Sequence, residues 1–321
     1  MTTPRFNRFA WFTLGYNMLV ILWGAFVRAT GSGAGCGSNW PLCNGEVVPR
    51  PEQIETLIEF SHRVTSGFAL IFVFVLYVWA RRLAERGEPV RSAAFWSLLF
   101  VIGEALIGAG LVLFELVADN DSMARGFSMS LHLGNTFLLL AALTLTAHWS
   151  GGGPTPKRFR GAPGDKVARL FWLSVGAVFV IGTSGAIAAL GDTLFPAGSL
   201  ADGARQNLPP AGHIFVQLRV LHPFLAFGGS LLLLSLVARV RKEKRPQPAR
   251  RYATMLNVMV LVQLMAGTIN ILMAAPVWMQ LVHLLLADVL WITLGLTGNA
   301  ALARPAPAPA RAATAPQPSA A

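Results

Sequence analysis

Four histidines, His62, His132, His222 and His283, each stand inside a separate apolar run long enough to cross a bilayer as a helix. They fall into two pairs, 70 and 61 residues apart. An ionisable side chain within a span is costly and by default marks a functional site. Imidazole ligates metal through one ring nitrogen while the other seeks a hydrogen-bond partner. Two imidazoles on facing helices can clamp an iron macrocycle from both sides, so two pairs predict two heme centres. Zinc or copper suits them less, because no carboxylate or thiolate cluster accompanies either pair. The competing reading is interhelical hydrogen bonding or a proton relay.

Glu59 lies three residues before His62, on the same helical face. A carboxylate one turn from a ligand can bind a substrate edge, move protons or stabilise a developing cation. It can equally be an interfacial acid grouped with Glu52 and Glu55. The matching place before His222 holds Arg219, which suits a heme propionate through a bidentate contact. That difference suggests divided labour, with chemistry in the first half and a permanent cofactor in the second. Arg28 and Arg63, near the outer boundary, are either snorkelling anchors or further propionate partners. Glu104 and Asp288 lie deeper, as hydrogen-bonded core groups or parts of a proton path. His148 reads as an interface residue and His213 as an outer-surface one. The two cysteines, Cys36 and Cys43, share the first outer loop, where three readings are open: a structural staple, a redox-active pair, or two free thiols.

The elements that must position these groups follow from composition. Of 321 residues, 54% are hydrophobic and 13% charged, which excludes an ordinary soluble domain. Eight apolar stretches, near 9–28, 57–80, 93–114, 127–149, 169–190, 214–238, 252–274 and 277–299, predict an all-α integral membrane protein with eight transmembrane helices. The net charge is +11, and 20 of the 26 Lys and Arg residues fall on one side of this arrangement. The positive-inside rule then places both termini in the cytoplasm and accounts for the basicity without nucleic acid. The even-numbered spans all enter from the outer side. Each key histidine lies five to eight residues past the expected outer end of its span, roughly 8–12 Å deep at the helical rise.

Internal similarity predicts two tandem four-helix bundles related by a pseudo-two-fold parallel repeat. Glu104-Ala-Leu-Ile-Gly108 resembles Gln263-Leu-Met-Ala-Gly267, Leu131-His132-Leu133 resembles Val282-His283-Leu284, and Thr30–Gly33 resembles Gly182–Ala186. The divisions are 1–150, a half with a substrate site; 151–168, a cytoplasmic linker; 169–300, a half with a cofactor site; and 301–321, a disordered Pro/Ala tail.

The run Ala25-Phe-Val-Arg-Ala-Thr-Gly-Ser-Gly33, then Cys36, Trp40-Pro-Leu-Cys-Asn-Gly45 and Glu59-Phe-Ser-His-Arg63, resembles the heme A synthase family, in its bacterial type with two cysteines in the outer loop. The likeness extends over nearly all of residues 9–300. It implies oxidation of the C8 methyl of heme O to a formyl group through a hydroxymethyl intermediate, for cytochrome c oxidase assembly. His62 and His132 match the family's axial ligands for the substrate and product, heme O and heme A. His222 and His283 match those of a heme B cofactor. Glu59 matches a functionally important acid, and Cys36 and Cys43 a pair that can form a disulfide. The implied partners are heme O synthase as the source of substrate, an electron donor or acceptor of unspecified identity, and the lipid bilayer of a bacterial cytoplasmic membrane; a homo-oligomer is compatible with this. Two departures stand out. Pro223, not arginine, follows His222, and Glu104 occupies the place of an amide.

Two rivals use the same features. A di-heme b-type electron-transfer protein, linked to quinol, would need the histidines but not Glu59. A duplicated permease would need neither heme nor ligands, and would break its helices at midplane.

Overall fold

Ten α-helices form among the described residues: α1 (Pro4–Ala29), α2 (Ile54–Leu83), α3 (Pro89–Leu113), α4 (Met123–Ser150), α5 (Lys166–Leu194), α6 (Leu200–Gln206), α7 (Ile214–Arg219), α8 (Leu221–Lys242), α9 (Gln247–Leu272) and α10 (Val277–Leu302). The computed structural model describes residues 3–50, 53–156, 159, 161–207 and 212–303. Counting α7 and α8 as one crossing, eight helices are long and apolar enough to span a membrane. Their outer surfaces are apolar: Leu19, Leu106 and Phe227 are each more than 60% exposed. In water that surface would be a liability; against lipid it is the expected face.

Local chemistry explains where these helices start. Thr3 caps α1 through its hydroxyl, and Pro4 supplies a preset φ at the first position. Pro89 does the same for α3. Ser122 caps α4, and the Asp165 carboxylate accepts the amide hydrogens of Val167 and Ala168 at the start of α5. These caps carry the helices a few residues beyond the hydropathy limits. α10 likewise continues to Leu302, into the stretch expected to be tail; from 304 on, that tail lies outside the described residues.

The sixth crossing is not one continuous helix. It breaks at Val220, between α7 and α8, where the sequence reading expected an unbroken span. Pro223 lacks the amide that would bond to the Arg219 carbonyl, so the break falls one turn before it. A second unanticipated element is the short helix α6, capped by Ser199.

Helices α1 to α4 touch in a ring that closes between α1 and α4. Helices α5, α8, α9 and α10 form another, closing between α10 and α5. In each ring the two histidine-bearing helices, α2 and α4 or α8 and α10, occupy opposite corners. The rings meet along α4, which packs on both α5 and α10, and α1 also reaches α10. At this seam Phe137 stacks on Trp291 with centroids 5.1 Å apart, while the Trp291 indole donates to the Phe137 carbonyl at 2.7 Å. Helix association in lipid depends on close van der Waals approach rather than on burial from water. Gly182 shows this, since a Cβ there would stand 2.6 Å from the Phe137 ring.

Candidate functional site

The four histidines lie near the same end of the bundle. From the start of each crossing, His62, His132, His222 and His283 are eight, nine, eight and six residues in. Three of the rings sit directly on a glycine of a neighbouring helix. A Cβ at Gly24 would stand 2.9 Å from Cε1 of His62; at Gly185, 3.0 Å from that of His222; at Gly267, 3.0 Å from that of His283. The backbone is cut away where the imidazoles need room. By sequence, Thr30–Gly33 corresponds to Gly182–Ala186. In the structure the glycine that stands to its histidine as Gly185 does is Gly24, inside α1, whereas Gly31 belongs to the turn after it.

In the second ring His222 and His283 face one another, with centroids 6.4 Å apart and ring planes at 90°. His222 Nδ1 is 3.0 Å from the Ser184 hydroxyl. The Gln263 amide nitrogen reaches His283 Nε2 at 3.3 Å, and His283 Nδ1 is buried with no hydrogen-bond partner. In the first ring His62 Nδ1 is similarly orphaned. His132 Nδ1 lies 3.0 Å from a carboxylate oxygen of Glu104, off the line of a good hydrogen bond.

These features fit a porphyrin iron. Orphaned buried imidazole nitrogens are costly unless something uses them. Metal–imidazole bonds of about 2 Å on either side of one ion leave the ring centroids roughly 6 Å apart, close to the separation of His222 and His283. His222 and His283 are the residues that would hold a heme in the second ring, and His62 and His132 in the first.

Glu59 turns toward the first loop. It is 3% exposed, and its Oε2 accepts the Cys36 amide at 2.8 Å. Its Oε1 accepts from Arg63 at 2.5 Å, and Arg63 in turn donates to the Asn39 and Leu42 carbonyls at 2.6 and 2.7 Å. Cys36 and Cys43 form a disulfide, which removes the free-thiol reading. Thr56 donates to the Gly35 carbonyl at 2.7 Å, and Gly35 lies so close to the backbone of Glu55 that no side chain fits. The loop is thereby docked onto the first turns of α2, just outward of His62.

The other candidates have protein partners as well. Arg28 crosses between the rings, donating to the Ala189 carbonyl at 2.7 Å, Thr193 at 2.5 Å and Gln280 at 3.0 Å. Arg219 pairs with Asp192 at 2.6 Å and donates to Asn207 at 2.8 Å. His213 caps α7, accepting the Phe215 amide, and stacks on Phe195 at 5.0 Å. His148 packs edge-on against Tyr252. Asp288 is fully buried, with both carboxylate oxygens unpartnered among the described residues. The partnership of Glu104 with His132 was not anticipated; the similarity of residues 104–108 to 263–267 was the available signal.

Fold and site together define a multi-pass helical membrane protein with two pairs of interior imidazoles near one end, the second pair face to face. A family model described as cytochrome oxidase assembly protein matches residues 7–294, and the chain belongs to that family. It is 48% identical over 95% of its length to a protein of Thermus thermophilus named protoheme IX farnesyltransferase. The match spans only 50% of that relative, so the chain is about half its length. It is 31% identical to a heme A synthase of Halalkalibacterium halodurans, over 86% of this chain and 90% of the relative. To a heme A synthase of Alkalihalophilus pseudofirmus it is 39% identical, over 40% of each chain.

Proposed function

We propose that this protein is a heme A synthase, which oxidises the C8 methyl of heme O to a formyl group through a hydroxymethyl intermediate. Alignment along 90% of a protein of that name supports this directly. The relatives named for farnesyl transfer match over about half of their own length. Heme O synthase would supply the substrate.

The first ring is the substrate site and the second the cofactor site, related as repeats. His62 and His132 hold heme O. His222 and His283 hold heme B, which supplies a redox-active iron when bound. Glu59 is the catalytic acid, and its charge sits one turn from His62, where oxidation of an unactivated methyl develops positive charge. A fixed charge in a dry site needs no reorganisation during the reaction, so it acts strongly. The Cys36 amide and Arg63 keep that carboxylate in place. Arg28, Arg63 and Arg219 would be the propionate partners, each exchanging a present contact for one. The termini face the cytoplasm and the sites the outer leaflet, a placing that the excess of Lys and Arg on one side supports.

The observation that carries this reading is the shared one: paired imidazoles at one depth, three of them backed by glycine, in a chain of this family. The test is co-expression in a host that makes heme O, followed by chromatography of extracted hemes. Hydroxymethyl and formyl hemes are expected. Unmodified heme alone would favour the electron-transfer alternative.

A further inference from the structure

The two histidine pairs differ in what meets one imidazole of each: a carboxylate at Nδ1 of His132 and an amide at Nε2 of His283. In the first ring Glu104 Oε2 lies 3.0 Å from His132 Nδ1. Its other oxygen is aimed by two donors, Asn135 at 2.7 Å and Thr136 at 3.1 Å, both on the helix that carries His132. Asn135 also donates to the Phe100 carbonyl at 2.8 Å and lies across Gly103, where a Cβ would approach it within 2.8 Å. The carboxylate is therefore braced rather than free to swing. At the similar place in the second ring, the Gln263 amide nitrogen lies 3.3 Å from the other ring nitrogen, Nε2 of His283, and donates to the His283 carbonyl at 3.2 Å, while His283 Nδ1 has no partner. A carboxylate can only accept, and an amide nitrogen can only donate.

We propose that Glu104 is a positioning residue for the first pair. It takes the Nδ1 hydrogen of His132, so that Nε2 faces the interior of the ring as the ligating atom. The inference rests on the reading that His132 holds the substrate heme. The contact is now off the line of a good hydrogen bond; bonds of this kind tighten when a site fills. An anionic acceptor on the far nitrogen makes an imidazole a stronger ligand. The porphyrin held by the first pair is accordingly stabilised in its oxidised form relative to the one held by the second. Gln263 gives His283 no such support. The chain thus sets an acid beside a ligand of the porphyrin it alters and an amide beside a ligand of the one it keeps.

The experiment is a spectroelectrochemical titration of the purified, heme-loaded full chain, with electron paramagnetic resonance on the same samples. Glu104→Gln should leave the heme content unchanged and move the first heme's midpoint upward, with altered axial-ligand resonances and the second heme unmoved. Gln263→Glu should move the second heme's midpoint downward. If Glu104→Gln does not accumulate, the Gln263→Glu shift decides. Unchanged midpoint and resonances in Glu104→Gln, or equal movement of both hemes, would overturn the assignment. Undiminished heme in the first site of His132→Ala would instead overturn the ligand reading on which it rests.

Discussion

The Glu59 carboxylate accepts the backbone amide of Cys36 at 2.8 Å, so the acid nearest His62 and the disulfide loop are one mechanical unit. Arg63 completes the unit by bonding both Glu59 and two loop carbonyls. The loop is therefore part of how the acid is held.

From this follows a prediction about charge against connection. Glu59→Gln keeps the size and an acceptor for the Cys36 amide but loses the charge. Heme A production should fall by about 100-fold or more, the range typical of losing one preorganised electrostatic group, while the protein still folds and binds heme. Replacing both cysteines by serine should lower production less. Full activity in Glu59→Gln, measured by chromatography of extracted hemes, would remove the catalytic role.

The glycines beneath the imidazoles make a second prediction with internal controls. Gly185→Ala and Gly267→Ala should lower the heme content of the second site, and Gly24→Ala that of the first, because each new methyl meets a ring at 2.9–3.0 Å. Gly108→Ala and Gly176→Ala meet nothing within 4 Å. Those two should bind heme normally and gain up to about 1 kcal/mol from helix propensity. Pyridine hemochrome content and thermal melting report both effects.

Arg28 makes a prediction about the seam. Its guanidinium ties α1 to the Ala189 carbonyl and Thr193 of α5 and to Gln280 of α10. A hydrogen bond to a charged group contributes about 1.5–3 kcal/mol, so Arg28→Ala should lower the melting temperature clearly. Arg28→Lys, which cannot reach three acceptors in one plane, should recover only part of the loss.

Asp165 makes a prediction about pH, at the start of α5. Burial pushes its carboxyl up, but the Arg245 guanidinium at 2.7 Å and the amides of Val167 and Ala168 outweigh burial and hold it below the usual range. A depressed carboxylate stabilises the fold fully above its unfolded value, about 3.9, and the contribution disappears as pH falls through the lower folded value. Asp165→Ala should cost about 1 kcal/mol, the usual loss of an N-cap. Asp165→Asn should keep the cap, lose the Arg245 pairing, and flatten the acid limb of a stability–pH curve below pH 4.

The eight crossings and the four histidines were legible because hydropathy and a titratable residue within it are local signals. Helix ends were legible only to a few residues, since the caps at Thr3, Ser122 and Asp165 lie outside the apolar runs. Pro223 was visible, yet its effect on the sixth crossing depends on which carbonyl it deprives. The arginines were recognised by charge and depth, but their partners lie up to 252 residues away and belong to tertiary structure. Glu104 is the clearest case: its likeness to Gln263 was on view, and only the packing of α3 against α4 shows that it addresses His132.

The most direct test of the central claim is the heme inventory of the purified chain and two double variants. Wild type from a heme O-producing host should carry two hemes per chain. His62→Ala with His132→Ala should keep heme B and lose the farnesylated heme. His222→Ala with His283→Ala should lose heme B and keep the farnesylated one. If both double variants retained the full complement, the paired imidazoles would not be the ligands and the account would fail.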